Sequence, residues 1–272
     1  MNARGKLIDL TTPKVMGILN ITPDSFYDGG RHHTVSEALV QAERLLTEGA
    51  DIVDIGAYSS RPGAADVSPD EETNRLLPVI EAITDRFPET VLSIDTFRAS
   101  VARTAISAGA HIINDISGGT LDSQMFTTVA ELQVPYILMH MRGTPDTMQQ
   151  LTDYPDNDVT GAVSLFFGRQ VATLRQLGVR DIILDPGFGF AKTLEQNYEL
   201  LHRLETLHQH ELPILGGISR KSMIYRKLGI PAEEALNGTT VLKTVLLMKG
   251  VLILRVHDVK AAREAITLLY EP

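Results

Sequence analysis

Asp95, Asn114 and Asp185 each follow directly on a short run of β-branched and aliphatic residues, where a buried strand would leave the core. Held there, they are hydrogen-bond acceptors, and a carboxylate takes two parallel N–H bonds from a flat ring with an amino-amide edge. Each well-formed charge-assisted bond of this kind contributes roughly 1.5–3 kcal/mol. The three read as lying on non-adjacent strands. One such residue alone merely caps a loop about as often as it binds; three at one end of a barrel weigh toward binding. Asp185 leads into Pro186-Gly187-Phe188-Gly189-Phe190, and two aromatics beside two glycines suit a slot for a flat ring better than a bare loop.

A second set is cationic. Ser219-Arg220-Lys221-Ser222 opens a helix directly after a strand, where free N–H groups and adjacent Arg and Lys favour an anion. The preceding Gly216-Gly217 lets a ligand approach the backbone. Arg255 and His257 close the last apolar run, and period-two alternation points both to one side. A guanidinium fork matches phosphate oxygens, and a histidine can donate to them. A lone Arg-Lys pair is more often a solvated cap and a lone histidine is usually structural, but the glycines and the Arg–His pairing favour an anion site. Arg61, in Arg61-Pro62-Gly63 after the second run, adds a cation in a loop. Asn20 offers an oxygen at the end of the first run, enough for magnesium, which needs only one or two protein oxygens besides phosphate and water. His111 and His140 have no evident partner and read as structural.

These residues sit at the ends of runs that repeat along the chain. Val15 to Leu19, Ile52 to Ile55, Val91 to Ile94, Ile112-Ile113, Tyr136 to Met139, Ile182 to Leu184, Ile214 to Ile218 and Val251 to Leu254 are separated by segments of helical periodicity. Every run except the second is read as ending in a polar side chain. Eight βα repeats are the pattern of a (β/α)8 TIM barrel, whose active site collects at the C-terminal strand ends. The spacing therefore brings the acceptors and the cations to one mouth of a single domain spanning 1–272. Ser68-Pro69-Asp70-Glu71 reads as a capped helix start, and Pro78 is expected to kink or divide that helix. After strand 7 the chain carries an extra helix, a frequent place for a phosphate site in barrels.

With 272 residues and 43% hydrophobic content, the chain has the size of one barrel and the composition of an ordinary globular domain. A net charge of -9 argues against nucleic-acid or anionic-membrane partners, so cations that hold an anion must be local. Absence of cysteine rules out disulfides and thiolate metal sites and fits a reducing compartment. The late apolar stretch from Thr239 to Val256 is broken by Lys243, Lys249 and Arg255 and does not read as a membrane span. A cytoplasmic protein is expected.

Taken in order, the motifs resemble those of the dihydropteroate synthases. The matching text is Val15 to Phe26 (Val-Met-Gly-Ile-Leu-Asn-Ile-Thr-Pro-Asp-Ser-Phe), Ser60 to Ala64, Ile94-Asp95-Thr96 and Ile112 to Asp115. It continues through Leu138 to Met141, Leu184 to Phe190, Ser219 to Ser222 and Arg255 to Val259. The resemblance implies a transferase of folate synthesis that joins 6-hydroxymethyl-7,8-dihydropterin diphosphate to 4-aminobenzoate and releases diphosphate with magnesium present. By position, Asp95, Asn114, Asp185 and Lys221 would hold the pterin and Met139 would line its slot. Arg255 would lie over the ring and, with His257, face the diphosphate; Asn20 would bind magnesium. Phe26, Pro62, Phe188, Phe190 and Ser222 would frame the aminobenzoate, while Ser60 and Arg61, with Asp28, would belong to two loops closing over the site. A homodimer is also implied. Where the family often has Gly-Glu-Ser-Thr, this chain has Ala57-Tyr58-Ser59-Ser60, and Phe97-Arg98 also departs from the pattern.

Three other readings share parts of this text. A pterin-binding methyltransferase barrel would keep the ring acceptors but has no use for Lys221-Ser222, Arg61 or Arg255 with His257. A non-catalytic pterin-binding paralogue is opposed by the retention of every candidate position. A Schiff-base aldolase using Lys221 would place its lysine in an oddly basic neighbourhood.

Overall fold

The computed structural model describes residues 1–21, 30–58 and 67–270, with side chains of 30–34 left out of account. A short antiparallel hairpin, β1 (Asn2–Ala3) and β2 (Lys6–Leu7), precedes the barrel. The barrel strands are β3 (Lys14–Asn20), β4 (Ile52–Gly56), β5 (Val91–Asp95), β6 (Ile112–Asp115), β7 (Tyr136–Met139), β8 (Ile182–Asp185), β9 (Leu215–Gly216) and β10 (Ile253–Val256). They pair in the order β8-β7-β6-β5-β4-β3-β10-β9, every pair parallel. A single bridge between Leu184 and Ile214 brings the two edges together and nearly closes the ring. Around it run α1 (Gly30–Thr47), α2 (Pro69–Arg86), α3 (Ala99–Ser107), α4 (Met125–Leu132), α5 (Val159–Gln176), α6 (Leu194–His202), α7 (Ser222–Leu228), α8 (Leu236–Met248) and α9 (Val259–Tyr270). The (β/α)8 barrel read from the sequence is therefore the fold, with α7 as the extra helix after the seventh barrel strand.

Residue chemistry explains how the interior is layered. Outward-facing strand residues such as Val15, Val53, Leu92 and Ile113 join the helices in the main apolar core. Inward-facing Met16, Ile52, Val91, Ile112, Ile137, Ile183, Leu215 and Ile253, one per strand, form a separate cluster closed from below by Ala3 and Ile8. Arg4 ties the hairpin to this end by donating to the carbonyls of Ile106 (2.6 Å) and Ala110 (3.1 Å). Two residues further along, strand alternation brings the next inward position, and on five of the eight strands it is polar: Asp54, Ser93, Asn114, Asp185 and Arg255. The floor is dry and the mouth is charged.

Of the two effects expected of Pro78, division is absent: α2 is continuous from Pro69 to Arg86, started by Ser68, whose hydroxyl accepts from the Glu71 N–H at 3.2 Å. α6 ends at His202, and a tighter 3-10 segment follows it, Leu204–His210.

The floor and the mouth should be separable experimentally. Ile137→Ala removes a fully buried floor side chain and is expected to cost about 2–5 kcal/mol in denaturant unfolding while leaving ligand affinity at the mouth unchanged.

Candidate active site

The mouth is organised around one arginine. Arg255, at the third position of β10, donates from Nε to Asp54 Oδ2 at 2.6 Å and from Nη2 to Asp95 Oδ2 at 2.7 Å. Asp54 Oδ2 also accepts from Asn114 Nδ2 at 3.1 Å, so strands β4, β5, β6 and β10 meet in one network. Asp95 and Asn114 are direct register partners on β5 and β6. They therefore lie on neighbouring strands, not on the non-adjacent ones expected. They follow the third and fourth apolar runs, and in a (β/α)8 barrel consecutive strands pair side by side, so the barrel pattern itself places them together. The second run also carries a polar residue after all: Asp54 sits one turn of the pleat below its end and is fully buried. It was missed because it is flanked on both sides by apolar residues, yet its period-two distance from Ile52 marks it as inward-facing.

Asp185, on β8, faces this network from the opposite wall, paired in register with Met139 on β7. Its Oδ1 accepts from the Gly187 N–H at 2.8 Å, which bends the chain back across the mouth. Gly187 has φ 68°, and a Cβ there would lie 2.0 Å from the His140 carbonyl oxygen, so the turn tolerates only glycine. Lys221 reaches over the turn to donate to the Phe188 carbonyl at 2.6 Å, with its ammonium 4.7 Å from the centre of the Phe190 ring. A Cβ on Gly217 would approach Asp185 Oδ2 and Lys221 Nζ, both at 3.8 Å, so this glycine leaves bare space between the two charges. Met139 belongs to a small apolar cluster with Ile116, Met141, Met148 and Ala191, against which Phe190 packs. Acceptors, a lysine and an apolar wall thus surround one slot.

Under the turn lies a lysine that sequence reasoning did not single out. Lys192 is buried and donates to the carbonyls of Gly187 (2.9 Å) and Phe190 (3.0 Å) and to His140 Nδ1 (3.1 Å). His140 is thus structural, as expected, but it does have a partner. Burial holds His140 well below its usual range, which suits it as an acceptor. His111 likewise accepts from the Leu92 N–H at 3.2 Å.

Burial shifts the charged groups at the mouth. Asp95 is pushed up to about 7, with Arg255 opposing the shift and Asp54 adding to it. Burial also raises Asp185, against the pull of Lys221, and brings Lys221 down to about 8, against the pull of Asp185. His257 lies at the outer rim with its Nδ1 3.1 Å from Ser219 Oγ; desolvation and then Arg255 bring it down to about 4. With Asn20, Ser36 and Glu37 it lines a cavity of about 500 Å³ between the end of β3 and α1.

Not every expected residue faces this slot. Arg220 is turned away, ion-paired to Asp258 through two bonds of 2.9 and 3.0 Å and donating to the Glu233 carbonyl at 2.6 Å. The basic pair read from the sequence is thus split, and only Lys221 serves the mouth. Phe188 is fully buried in the main core, so what it presents at the mouth is its carbonyl, not its ring. Ser222 is the first residue of α7, beside Lys221. Phe26, Asp28, Ser60, Arg61 and Pro62 lie outside the described residues. The departures flagged in the sequence meet in space: Tyr58 and Phe97 contact edge to face at 5.1 Å, and the Arg98 guanidinium lies 5.3 and 4.9 Å from their ring centres. Arg98 is itself paired to buried Glu72.

The chain is similar to known proteins over nearly its whole length. Residues 16–257 match the family model described as pterin binding enzyme. The dihydropteroate synthase of Escherichia coli (strain K12) is 45% identical over 98% of this chain and 94% of its own length. Among solved structures, a Yersinia pestis dihydropteroate synthase with a sulfonamide drug superposes with a TM-score of 0.91 at 43% identity, covering 98% of this chain and 97% of that one. A Xanthomonas albilineans dihydropteroate synthase with 4-aminobenzoic acid gives 0.90 at 39% identity, covering 98% and 95%.

The raised Asp95 makes the slot sensitive to pH. A ring that donates N–H bonds binds the ionised carboxylate, so binding releases a proton below about 7, and affinity falls as pH falls through that value. Calorimetric titration of a pterin should show affinity rising by up to about tenfold per pH unit toward 7 and levelling above it. Asp95→Asn should abolish that dependence.

Proposed function

The chain belongs to the dihydropteroate synthase family, and we infer from that membership what its barrel mouth does. It is a transferase of folate synthesis, condensing 6-hydroxymethyl-7,8-dihydropterin diphosphate with 4-aminobenzoate to give 7,8-dihydropteroate and diphosphate. The observation that carries the residue assignment is the convergence, in one slot, of buried acceptors below and cations above. Asp95, Asn114 and Asp185 take the N–H edge of the pterin; Lys221 donates to its acceptor side; Met139 and Phe190 supply apolar walls. Arg255 has its Nε and Nη2 committed to Asp54 and Asp95. Its Nη1 has no hydrogen-bond partner among the described residues and is assigned, with His257, to the diphosphate.

These groups suit a reaction in which the leaving group departs early. Loss of diphosphate leaves a pterin methylene cation that the electron-rich ring stabilises, and the aniline nitrogen then attacks that carbon. The chain's part is to align the two rings and to favour the departing negative charge. Phe190 and Ser222 border the aminobenzoate position, to which Phe26 and Pro62 are also assigned; Phe188 contributes through its carbonyl. Ser60 and Arg61 are assigned to the diphosphate.

Asn20 fits a magnesium role. Asn20 is the last residue of β3 and lines the cavity it shares with His257. No group of three His, Cys, Asp or Glu that could hold a metal occurs among the described residues, which suits an ion held largely by substrate oxygens and water. Bound there, magnesium would neutralise diphosphate charge. The assembly assigned is a homodimer: exposed Val241 and Met248, seven residues apart on α8, share one face of that helix, and exposed apolar side chains of this kind are what a partner copy covers. Among the described residues no helix is long and apolar enough to cross a membrane, and with the absence of cysteine this supports a cytoplasmic location.

Incubation with the dihydropterin diphosphate and 4-aminobenzoate should release diphosphate only when both are present. Arg255→Ala should lower kcat by about 10²–10³, the scale of losing one preorganised charge-stabilising donor; near-normal turnover would sink the anion assignment. Met248→Asp should convert the dimer to monomer in sedimentation.

A further inference from the structure

Asp54 is an expensive residue to bury: a fully enclosed carboxylate survives only where charged or hydrogen-bonding partners hold it. Its partners here are two residues of the site itself. One oxygen, Oδ2, receives both Arg255 Nε (2.6 Å) and Asn114 Nδ2 (3.1 Å).

The consequence for Asn114 is directional. An amide carries a donor end and an acceptor end, and a half-turn of the side chain exchanges them. With its NH₂ end committed to a carboxylate, Asn114 must present its carbonyl oxygen the other way. Among the described residues that Oδ1 is buried and without a partner, as are the other oxygen of Asp54 and the hydroxyl of Ser93, its register partner across β4 and β5. Buried polar atoms are rarely left unpaired in folded proteins, and a cluster of oxygens points to donors supplied by a ligand.

We propose that Asp54 is the positioning residue of the ring site, fixing Asn114 with its carbonyl toward the pterin and anchoring Arg255 through Nε so that the rest of the guanidinium stays free for the leaving group. This rests on the pterin reading of the slot. Asp54 acts through its two neighbours and touches no reacting atom. The carboxylate is needed because two donors converge on one oxygen. An amide at this position accepts more weakly, and its NH₂ end repels whichever donor it meets.

The test uses Asp54→Asn in the full-length chain, with 6-hydroxymethylpterin, which lacks the diphosphate, as the calorimetric probe. The dissociation constant of the folded variant is expected to rise at least tenfold, with kcat/KM for the diphosphate substrate falling further than ring affinity because Arg255 is also released. Affinity within twofold of the parent's, with any loss confined to melting temperature, would overturn the assignment and leave the pterin reading intact. Failure of the unaltered protein to bind the pterin would overturn both. If the variant does not fold, the unaltered protein still decides the matter by NMR. The Arg255 Nε–H signal is expected to exchange slowly with solvent and to persist when the pterin binds. Its loss on binding would mean that Asp54 releases the arginine in the complex, and the proposal would fall.

Discussion

The structure depends on a guanidinium held inside a barrel by two carboxylates. Arg255, bonded to Asp54 and Asp95, joins the last strand to β4 and β5, and through Asp54 reaches Asn114 on β6. Isolated charges cost several kcal/mol each to bury, and a buried pair recovers that only with close geometry and satisfied hydrogen bonds. The network supplies short, charge-assisted contacts but leaves some oxygens unpaired among the described residues. The protein's own groups satisfy it only in part, and a ligand that brings donors completes it. A site arranged this way gives up stability for readiness, which is how preorganised electrostatics operates in active sites generally.

The opposite wall is built by different means. Among the described residues no ion pair fixes Asp185; a turn does, and the turn is held by backbone geometry and by Lys192. At Gly187 the chain passes within contact of the His140 carbonyl, and Ala191 takes a left-handed φ of 49° to complete the reversal. Lys192 gathers three acceptors under this turn, and burial brings its ammonium down to about 7 even though Asp185 supports the charge. The Phe188 ring anchors the turn in the core, while its carbonyl meets Lys221. One aromatic holds the loop and the other, Phe190, faces the slot. In the sequence the two were indistinguishable.

What could be read from the sequence follows from what periodicity encodes. Strand ends are marked by a change from apolar to polar, so Asp95, Asn114, Asp185 and Arg255 stood out, and the eightfold alternation gave the barrel. Asp54 and Lys192 did not stand out: one is a polar residue inside an apolar run, the other a lysine in a loop, and each gains its meaning from partners distant in the chain. Arg220 and Lys221 are neighbours with opposite duties, because the left-handed φ of 52° at Arg220 throws its side chain back toward Asp258. Charge counting cannot separate them. Tyr58, Phe97 and Arg98 looked like unrelated departures from the family text, yet they form one cluster.

The distribution of charge also fixes what kind of catalysis this mouth performs. His257 is the obvious proton carrier, but desolvation and Arg255 bring it down to about 4, so near neutral pH it carries no charge and has little capacity as an acid. Lys221, at about 8, remains largely cationic there, and Arg255, raised by its two carboxylates despite burial, remains wholly so. Permanent charges with fixed geometry favour a departing anion, whereas they do nothing for a step that needs a proton moved. The acceptors below are matched to the neutral N–H edge of a ring and would be wasted on a phosphate. On the proposed reading, ring recognition among the buried acceptors and charge stabilisation at the rim are separate duties, and Arg255 belongs to both, with two of its nitrogens turned inward and the third assigned to the leaving group.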